Sequence, residues 1–241
     1  MQIIPIQFDN EISSSDDISQ LIVDSSEINE GDIVVIAQKI VSKQEDRIVN
    51  LSEVIPSLLA EGIASQYQKD PRVVELILSE TKRIVRMNNG IIIVETYNGL
   101  ICANAGVDES NVKEGFATIL PVNSDKSAQN IREKIKEKTS KNTAVIISDT
   151  FGRPFRMGQT NCAIGISGLN PILDYEGTKD IFGKVLRVTE IAVADELSSA
   201  AELVMGKILK CPAAIIRDYT FNPEERLISD LLRPENEDLF R

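Results

Sequence analysis

The stretch AVIISDTFGRPFR, residues 144–156, carries the clearest indication of the fold. Its first part, Ala144–Ile147, is fully apolar, which is typical of a buried β-strand. Residues 127–140, just before it, are highly charged but carry Ile131 and Ile135 at helical spacing. That spacing predicts a helix that packs through one narrow apolar seam. A helix followed by a buried strand indicates a mixed α and β arrangement.

Further strands and helices are predicted on both sides of this stretch. The predicted strands span residues 3–6, 33–37, 91–94, 100–103 and 213–216. Pro5 favours an edge position for the first of them. One helix is predicted from Asp70-Pro71 to Asn88, because aspartate caps helices and proline suits their first position. A second is predicted over 194–205, and the interleaved elements predict an α/β (mixed α+β) fold.

Composition narrows the class of protein. The chain has 241 residues, 26 Lys and Arg against 37 Asp and Glu, and a net charge of −11. This excess of acid argues against non-specific nucleic-acid binding, which needs a basic field. The N-terminus lacks a secretion signal, and no segment approaches the roughly 20 apolar residues of a membrane span. We therefore expect a soluble, cytoplasmic protein with neither nucleic acid nor membrane as a partner.

Missing residue types exclude several chemistries. Histidine is absent, which excludes Ser-His-Asp and Cys-His catalysis of the usual kind and removes imidazole as a metal ligand. A metal would have to rely on oxygen ligands, which suit magnesium, manganese or calcium. Cys102, Cys162 and Cys211 lie far apart without C-x-x-C spacing, so we expect structural thiols in a reducing compartment.

The polar part of the opening stretch, residues 148–156, is the first candidate site. It directly follows a predicted strand, and the carboxyl end of a buried strand is a common place for ligands. Asp149 and Thr150 can together hold a hard cation. Arg153 and Arg156 can neutralise phosphate or carboxylate oxygens. The alternative interpretation is a polar turn with surface arginines.

Residues 102–111 form a second candidate site. Small residues there allow close backbone approach, and Asp108 with Asn104 and Asn111 offers oxygen ligands, although a plain surface turn is the alternative. If Asp108 meets Asp149 in space, the two carboxylates repel each other unless a cation lies between them. We favour that shared cation site as the hypothesis.

Two weaker candidates remain. Asp195 and Glu196 begin a predicted helix, where simple capping is the alternative to a functional role. Lys39, Ser42 and Lys43 follow the strand at 33–37, and the lysines could meet nucleotide phosphates, although surface lysines are common. The sequence has neither a G-x-x-x-x-G-K-[ST] nor a G-x-G-x-x-G motif, so a bound nucleotide would need another binding mode.

Three motifs taken together resemble the coenzyme F-420-0:L-glutamate ligase family. They are NAGVDESN at 104–111, SDTFGRPFRMG at 148–158 and AIGISG at 163–168. Shorter matches continue the resemblance, which is dense from about residue 101 to 206: IVSK at 40–43, ADE at 194–196 and VMG at 204–206.

The resemblance implies a GTP-dependent ligase that attaches L-glutamate to the lactyl carboxylate of coenzyme F-420-0 and then adds further γ-linked glutamates. It also implies two magnesium or manganese ions, potassium as an activator, and a two-domain α/β fold in an intertwined homodimer. We expect one unit formed by residues 1–95 with 190–241, and a second formed by residues 96–189.

The same resemblance implies roles for individual residues. Asp108 and Asp149 resemble ligands of one cation, and Thr150 a ligand of the second. The positions that would contact GTP or close over its phosphates are Gln38, Lys39, Lys43, Asn111 and Gly206. Asp149, Arg153 and Arg156 are the expected catalytic residues, the arginines holding a phosphate or carboxylate of the substrate.

Two segments depart from the family pattern, namely residues 7–10, which lack the usual glycine and second proline, and the basic residues 207–212. Two alternative functions remain open. One is a metal-dependent phosphate-ester hydrolase that uses the same oxygen ligands. The other is a non-catalytic paralogue that binds the coenzyme or a nucleotide.

Overall fold

The computed structural model describes residues 1–239. Its α-helices are α1 (Ile18–Ser25), α2 (Gln38–Gln44), α3 (Leu58–Tyr67), α4 (Pro71–Ser79), α5 (Ser124–Thr139) and α6 (Val193–Met205). Its strands are β1 (Gln2–Ile6), β2 (Ile33–Ala37), β3 (Ile48–Asn50), β4 (Thr81–Asn88), β5 (Ile91–Thr96), β6 (Ile101–Ala103), β7 (Phe116–Thr118), β8 (Ala144–Arg153), β9 (Arg156–Ser167), β10 (Leu173–Asp174), β11 (Glu190–Ile191) and β12 (Ala213–Arg217). This content confirms the predicted mixed α/β fold.

Five strands form one mixed sheet in the order β1-β12-β2-β8-β9. Strands β2 and β8 are parallel, whereas the other neighbours in this sheet are antiparallel. The predicted edge position of β1 is confirmed, and Pro5, which has no N–H to donate, lies in it. The parallel pair places Ala37 opposite Ser148, so the carboxyl ends of β2 and β8 meet at one edge of the sheet.

The two faces of this sheet carry separate hydrophobic cores. Along β2, Val34 and Ile36 belong to one core and Ile33 and Val35 to the other, because successive side chains of a strand alternate between faces. Helices α1 and α5 contribute to the first core, and α6 contributes to the second. Ile135, in the predicted seam of α5, is completely buried, and burying such a side chain contributes about 1.5–3 kcal/mol.

A third core lies between helices α3 and α4 and a small sheet of order β4-β5-β6. Ile92 and Val94 of β5 are completely buried in it, whereas Ile93, on the other face of the strand, is only half-buried. The predicted division of the chain at residues 95 and 189 stays a prediction. Strands from both predicted units, β2 and β8, pair within the five-stranded sheet.

The predicted helix from Asp70 to Asn88 is correct at its start and wrong at its end. Asp70 caps α4 by accepting a hydrogen bond from the backbone N–H of Arg72 at 2.8 Å. The helix ends at Ser79, and the following residues form β4. Ile84 and Val85 match helical spacing, but Ile84 pairs with Val94 of β5, and the strand suits both β-branched side chains.

Two further differences affect the candidate site. The strand predicted over 144–147 continues to Arg153, so the polar motif lies on a long hairpin formed by β8 and β9 instead of in a turn. Helix α2, which begins directly after β2, was not predicted. Among residues 1–239, no helix combines the length and the apolar character that crossing a membrane requires.

Candidate active site

A cleft of ≈ 2220 Å³ opens where the edge of the five-stranded sheet meets the small sheet β4-β5-β6. Ten of the residues proposed from the sequence line it: Gln38, Lys39, Lys43, Asn104, Asp108, Asn111, Asp149, Thr150, Arg153 and Gly206. Arg156 is not among the described residues that line the cleft; it is exposed on the hairpin, opposite Arg153. The fold therefore gathers segments that lie far apart in sequence.

Parallel pairing of β2 and β8 explains how the first two segments meet. Ala37, the last residue of β2, lies opposite Ser148, and Lys39 and Asp149 follow within two residues. The third segment contains Asp108, which forms an isolated β-bridge with Thr118. Asp108 and Asp149 line the same cleft, and the charge of Asp108 acts on Asp149; that they share one cation stays a prediction.

Lys39 and Ser110 hold the Asp108 carboxylate. Lys39 Nζ donates to Asp108 Oδ2 at 2.7 Å and to the backbone oxygen of Ser110 at 2.6 Å. The Ser110 backbone N–H donates to Asp108 Oδ1 at 2.7 Å. Burial opposes the charged form of Asp108, but these hydrogen bonds outweigh it and lower the pKa of the carboxyl. Asp108 is therefore ionised at neutral pH.

Asp149 has the opposite shift. Burial raises the pKa of Asp149, and the charge of Asp108 raises it further, while the Thr150 backbone N–H and the charges of Lys207 and Lys39 act against the shift. Within residues 1–239, no Lys or Arg forms an ion pair with Asp149. A half-buried carboxylate flanked by another carboxylate and lacking a bonded cation is a favourable place for a metal ion.

The Thr150 hydroxyl takes part in a polar network at the same edge. It donates to Asn161 Oδ1 at 2.8 Å and accepts from Lys207 Nζ at 2.5 Å. Asn161 Nδ2 also lies 3.3 Å from Glu202 Oε2. Sequence reasoning missed Asn161, because only the pairing of Thr150 with Asn161 across the β8–β9 hairpin connects them. Lys207 could have been proposed as a site residue from the sequence, since it directly follows Gly206, which the resemblance places at the nucleotide.

The donor set fits a hard divalent cation bound together with a substrate. Asp108, Asp149 and Thr150 offer only oxygen atoms, which magnesium and manganese prefer. Residues 1–239 contain no group of three or more Asp, Glu, Cys or His arranged to hold a metal by themselves. Magnesium is commonly held by one or two carboxylates, with phosphates and water completing the shell, so a pair of carboxylates suits it.

Some proposed residues have structural partners. Gln38 is buried, and its Nε2 donates to Ser42 Oγ at 2.5 Å, while Ser42 Oγ donates to the Ile119 backbone oxygen at 2.7 Å. Lys43 is buried and pairs with Glu11 at 2.7 Å, so Glu11 is a second cleft residue that the sequence did not reveal.

Other candidates lie on the hairpin or outside the cleft lining. Arg153 Nη2 donates to the Met157 backbone oxygen at 3.0 Å. Asp195 accepts from the Ala163 backbone N–H at 2.9 Å, and burial raises its pKa, which supports a structural role. Cys102 lines the cleft, but burial, together with the charge of Asp149, raises its pKa to about 12, so it is a thiol and not a nucleophile at neutral pH.

Charge is distributed unevenly between the cleft and the rest of the molecule. Seven Lys or Arg and six Asp or Glu line the cleft, although the chain as a whole carries a net charge of −11. Two of the acidic side chains, Asp108 and Asp149, are the candidate cation ligands. The cleft is therefore suited to anionic ligands in an otherwise acidic protein.

The chain is similar to known proteins over most of its length. Residues 8–218 match the family described as F420-0:Gamma-glutamyl ligase. The chain is 47% identical to a coenzyme F420:L-glutamate ligase of Methanothermobacter thermautotrophicus, covering 95% of this chain and 94% of the relative. Proteins of the same name from Methanopyrus kandleri and Methanocaldococcus jannaschii are 41% and 46% identical, over 100% and 89% of this chain and 98% and 86% of their own. The chain belongs to the F420-0:gamma-glutamyl ligase family.

Proposed function

We propose that the protein uses GTP to attach L-glutamate to coenzyme F-420-0 and then adds further γ-linked glutamates. The observation that carries the proposal is the shared cleft of Asp108, Asp149 and Thr150, with Lys39 and Lys207 beside them. The names of the relatives support the acceptor and the amino acid. Seven Lys or Arg side chains line the cleft of this acidic protein, which supports anionic substrates.

An amine does not displace hydroxide from a carboxylate at neutral pH, so the acceptor needs activation. The lactyl carboxylate attacks the γ-phosphorus of GTP, which forms an acyl phosphate and releases GDP. The amine of glutamate then attacks the acyl carbon, the amide forms, phosphate leaves, and the amine loses its proton. Such a transfer depends on positioning the reactants and on neutralising their oxygen charges.

The chain's own residues divide this work. Asp108, Asp149 and Thr150 would hold one or two magnesium or manganese ions, which supply neutralisation of phosphate charge when bound. Lys207 lies beside Thr150 and would neutralise a phosphate oxygen, as would Lys39 once Asp108 has another partner. Potassium as an activator is part of the proposal, without an assigned position.

A homodimer is also part of the proposal. Met157 is 96% exposed on the β8–β9 hairpin, and Ile181 and Phe182 are 93% and 88% exposed between β10 and β11. Ile181 and Phe182 are adjacent in sequence, and contiguous exposed apolar surface marks interaction sites. Sedimentation of the purified protein at several concentrations tests this, and a monomer at all of them would contradict it.

The decisive experiment compares Asp149→Asn with Asp24→Asn, which alters an exposed carboxylate on α1. Wild type and Asp24→Asn should release GDP and form the glutamyl amide when given coenzyme F-420-0, glutamate, GTP and manganese. Asp149→Asn should lose at least a hundredfold in rate. Activity near wild type in Asp149→Asn would remove the assignment.

Product analysis by mass spectrometry separates the alternatives. Phosphate release that does not require glutamate would indicate a phosphate-ester hydrolase. Tight coenzyme binding without turnover would indicate a non-catalytic paralogue. ATP replacing GTP at equal rate would contradict the nucleotide preference but leave the ligase intact.

A further inference from the structure

Strand β4 contributes a basic residue, Arg86, to the cleft. Arg86 is exposed, lines the cleft together with its neighbour Val85, and lies opposite Ile93, which also lines it. Within residues 1–239, Arg86 forms no side-chain ion pair or hydrogen bond. A guanidinium in this position can bind two oxygens of one anion in a bidentate geometry.

The other cations of β4 already have carboxylate partners. Lys82 Nζ and Arg83 Nη2 each contact Glu95 at 2.7 Å, and Arg83 Nη1 contacts Glu235 at 2.9 Å. These pairs satisfy the basic residues at the start of the strand. Arg86 is therefore the cation of this strand that is available to a ligand.

A β-bulge turns Arg86 towards the cleft. Arg83 pairs with Glu95 and Arg86 pairs with Ile93, and cross-strand partners share a face of the sheet. Residues three apart in a regular strand would point to opposite faces. The register shift between Ile84 and Arg86 inserts one extra residue, which places Arg86 on the same face as Arg83. Bulges frequently re-aim side chains beside functional sites.

The position of Arg86 separates it from the candidate cation site. Ile93 pairs with Ala103 of β6, so Arg86, Ile93 and Ala103 form one row across the three strands, and all three line the cleft. Adjacent strands lie about 4.8 Å apart, which puts Arg86 roughly 10 Å from Ala103. Cys102, the neighbour of Ala103, is close enough to Asp149 to be affected by its charge. An elongated substrate is needed to span both positions.

We infer that Arg86 binds an anionic group of the acceptor coenzyme, and not the triphosphate of the nucleotide. The inference rests on the proposed function. Lys39 and Lys207 lie beside Asp108 and Thr150, where the proposed function puts the nucleotide phosphates, whereas Arg86 lies on the far strand of the small sheet. The bound group is a phosphate or a carboxylate with two accessible oxygens. Arg86 acts as a specificity-determining residue that positions the acceptor without touching the reacting atoms.

Equilibrium binding by titration calorimetry tests this without turnover. Wild type, Arg86→Gln, Arg86→Lys and the control Lys82→Gln are titrated with coenzyme F-420-0, with the same coenzyme carrying one glutamate, and with GTP, each in magnesium buffer. Arg86→Gln should bind the coenzyme at least tenfold more weakly and GTP within twofold of wild type. Arg86→Lys should bind the coenzyme with intermediate affinity, because lysine keeps the positive charge but cannot form the bidentate hydrogen bonds of a guanidinium. Lys82→Gln should resemble wild type.

The two forms of the coenzyme identify the bound group. Equal weakening for both indicates a group common to both, such as a phosphate, whereas weakening confined to the glutamylated form indicates its added carboxylates. Unchanged coenzyme affinity in Arg86→Gln, or an equal loss of GTP affinity, would overturn the inference. A wild type that binds the coenzyme but forms no amide would overturn the proposed function alone, and one that does not bind it would overturn both.

Discussion

Two walls of the cleft differ in how their charges are arranged. On the sheet-edge wall (Lys39, Asp149 and Thr150), cations and oxygens from separate segments already contact one another, as in the 2.7 Å pair of Lys39 with Asp108. On the small-sheet wall (Arg86, Ile93 and Ala103), an arginine without such a contact stands in an apolar row. The first arrangement suits charge stabilisation at reacting atoms, and the second suits recognition of a distant group.

Asp108→Asn should cause the largest change, since it removes a charge from the sheet-edge wall. We expect kcat for GDP formation to fall by about a thousandfold, because the amide neither pairs with Lys39 nor neutralises a cation. Glu109→Gln is the matched control, as the neighbouring side chain lies outside the described lining of the cleft. Equal losses of kcat in Asp108→Asn and Glu109→Gln would contradict the assignment of charge stabilisation to the sheet-edge wall.

Shortening one buried side chain beneath each wall compares how much the two walls depend on their hydrophobic cores. Ile147 lies under the sheet-edge wall and Ile92 under the small-sheet wall, and both are completely buried. Each change to alanine should lower the free energy of unfolding by about 3 kcal/mol. Urea denaturation measures this loss, and hydrogen exchange should show Ile92→Ala opening β4–β6 before the large sheet. Faster exchange in the large sheet as well would mean that the two cores open together.

Gly165→Ala tests the packing of α5 against β9, on which the sheet-edge wall depends. A Cβ at Gly165 would lie 2.4 Å from the Ser124 carbonyl carbon, a backbone atom that cannot rotate away. We expect a loss of about 2 kcal/mol, seen as a lower midpoint in urea. Gly152→Ala is the control, because a Cβ added there would meet no atom within 4 Å among residues 1–239 apart from its chain neighbours. Similar midpoints for both variants would contradict the close approach.

The smallest effect concerns acid stability of the small-sheet wall. Hydrogen bonds from Lys82 and Arg83 lower the pKa of Glu95 from 4.5 to about 2. A carboxyl whose pKa is depressed by folding contributes stability above its unfolded pKa and loses it as the pH falls through the folded value. Glu95→Gln should therefore lower the stability of the folded protein at pH 7 and have little effect on it near pH 2. Urea midpoints at both pH values check this, and an equal loss at both would refute it.

Much of the fold and part of the site could be predicted from local sequence. The apolar run before Ser148, the cap at Asp70 and the seam of α5 are local patterns, and the structure confirms each of them. The end of α4 could not be predicted, because Ile84 and Val85 satisfy helix spacing as well as strand propensity. Pairing with β5 decided between the two.

The sequence by itself determined the alternation of helices and strands, the absence of histidine chemistry and the cluster of acid, hydroxyl and arginine after Ile147, since composition and short-range periodicity contain that information. Only the tertiary structure decided which groups meet. Asp108 reaches Lys39 across 69 positions, and a bulge one residue long turns Arg86 into the cleft. Such contacts depend on strand pairing and register, which long-range packing selects and no local pattern specifies.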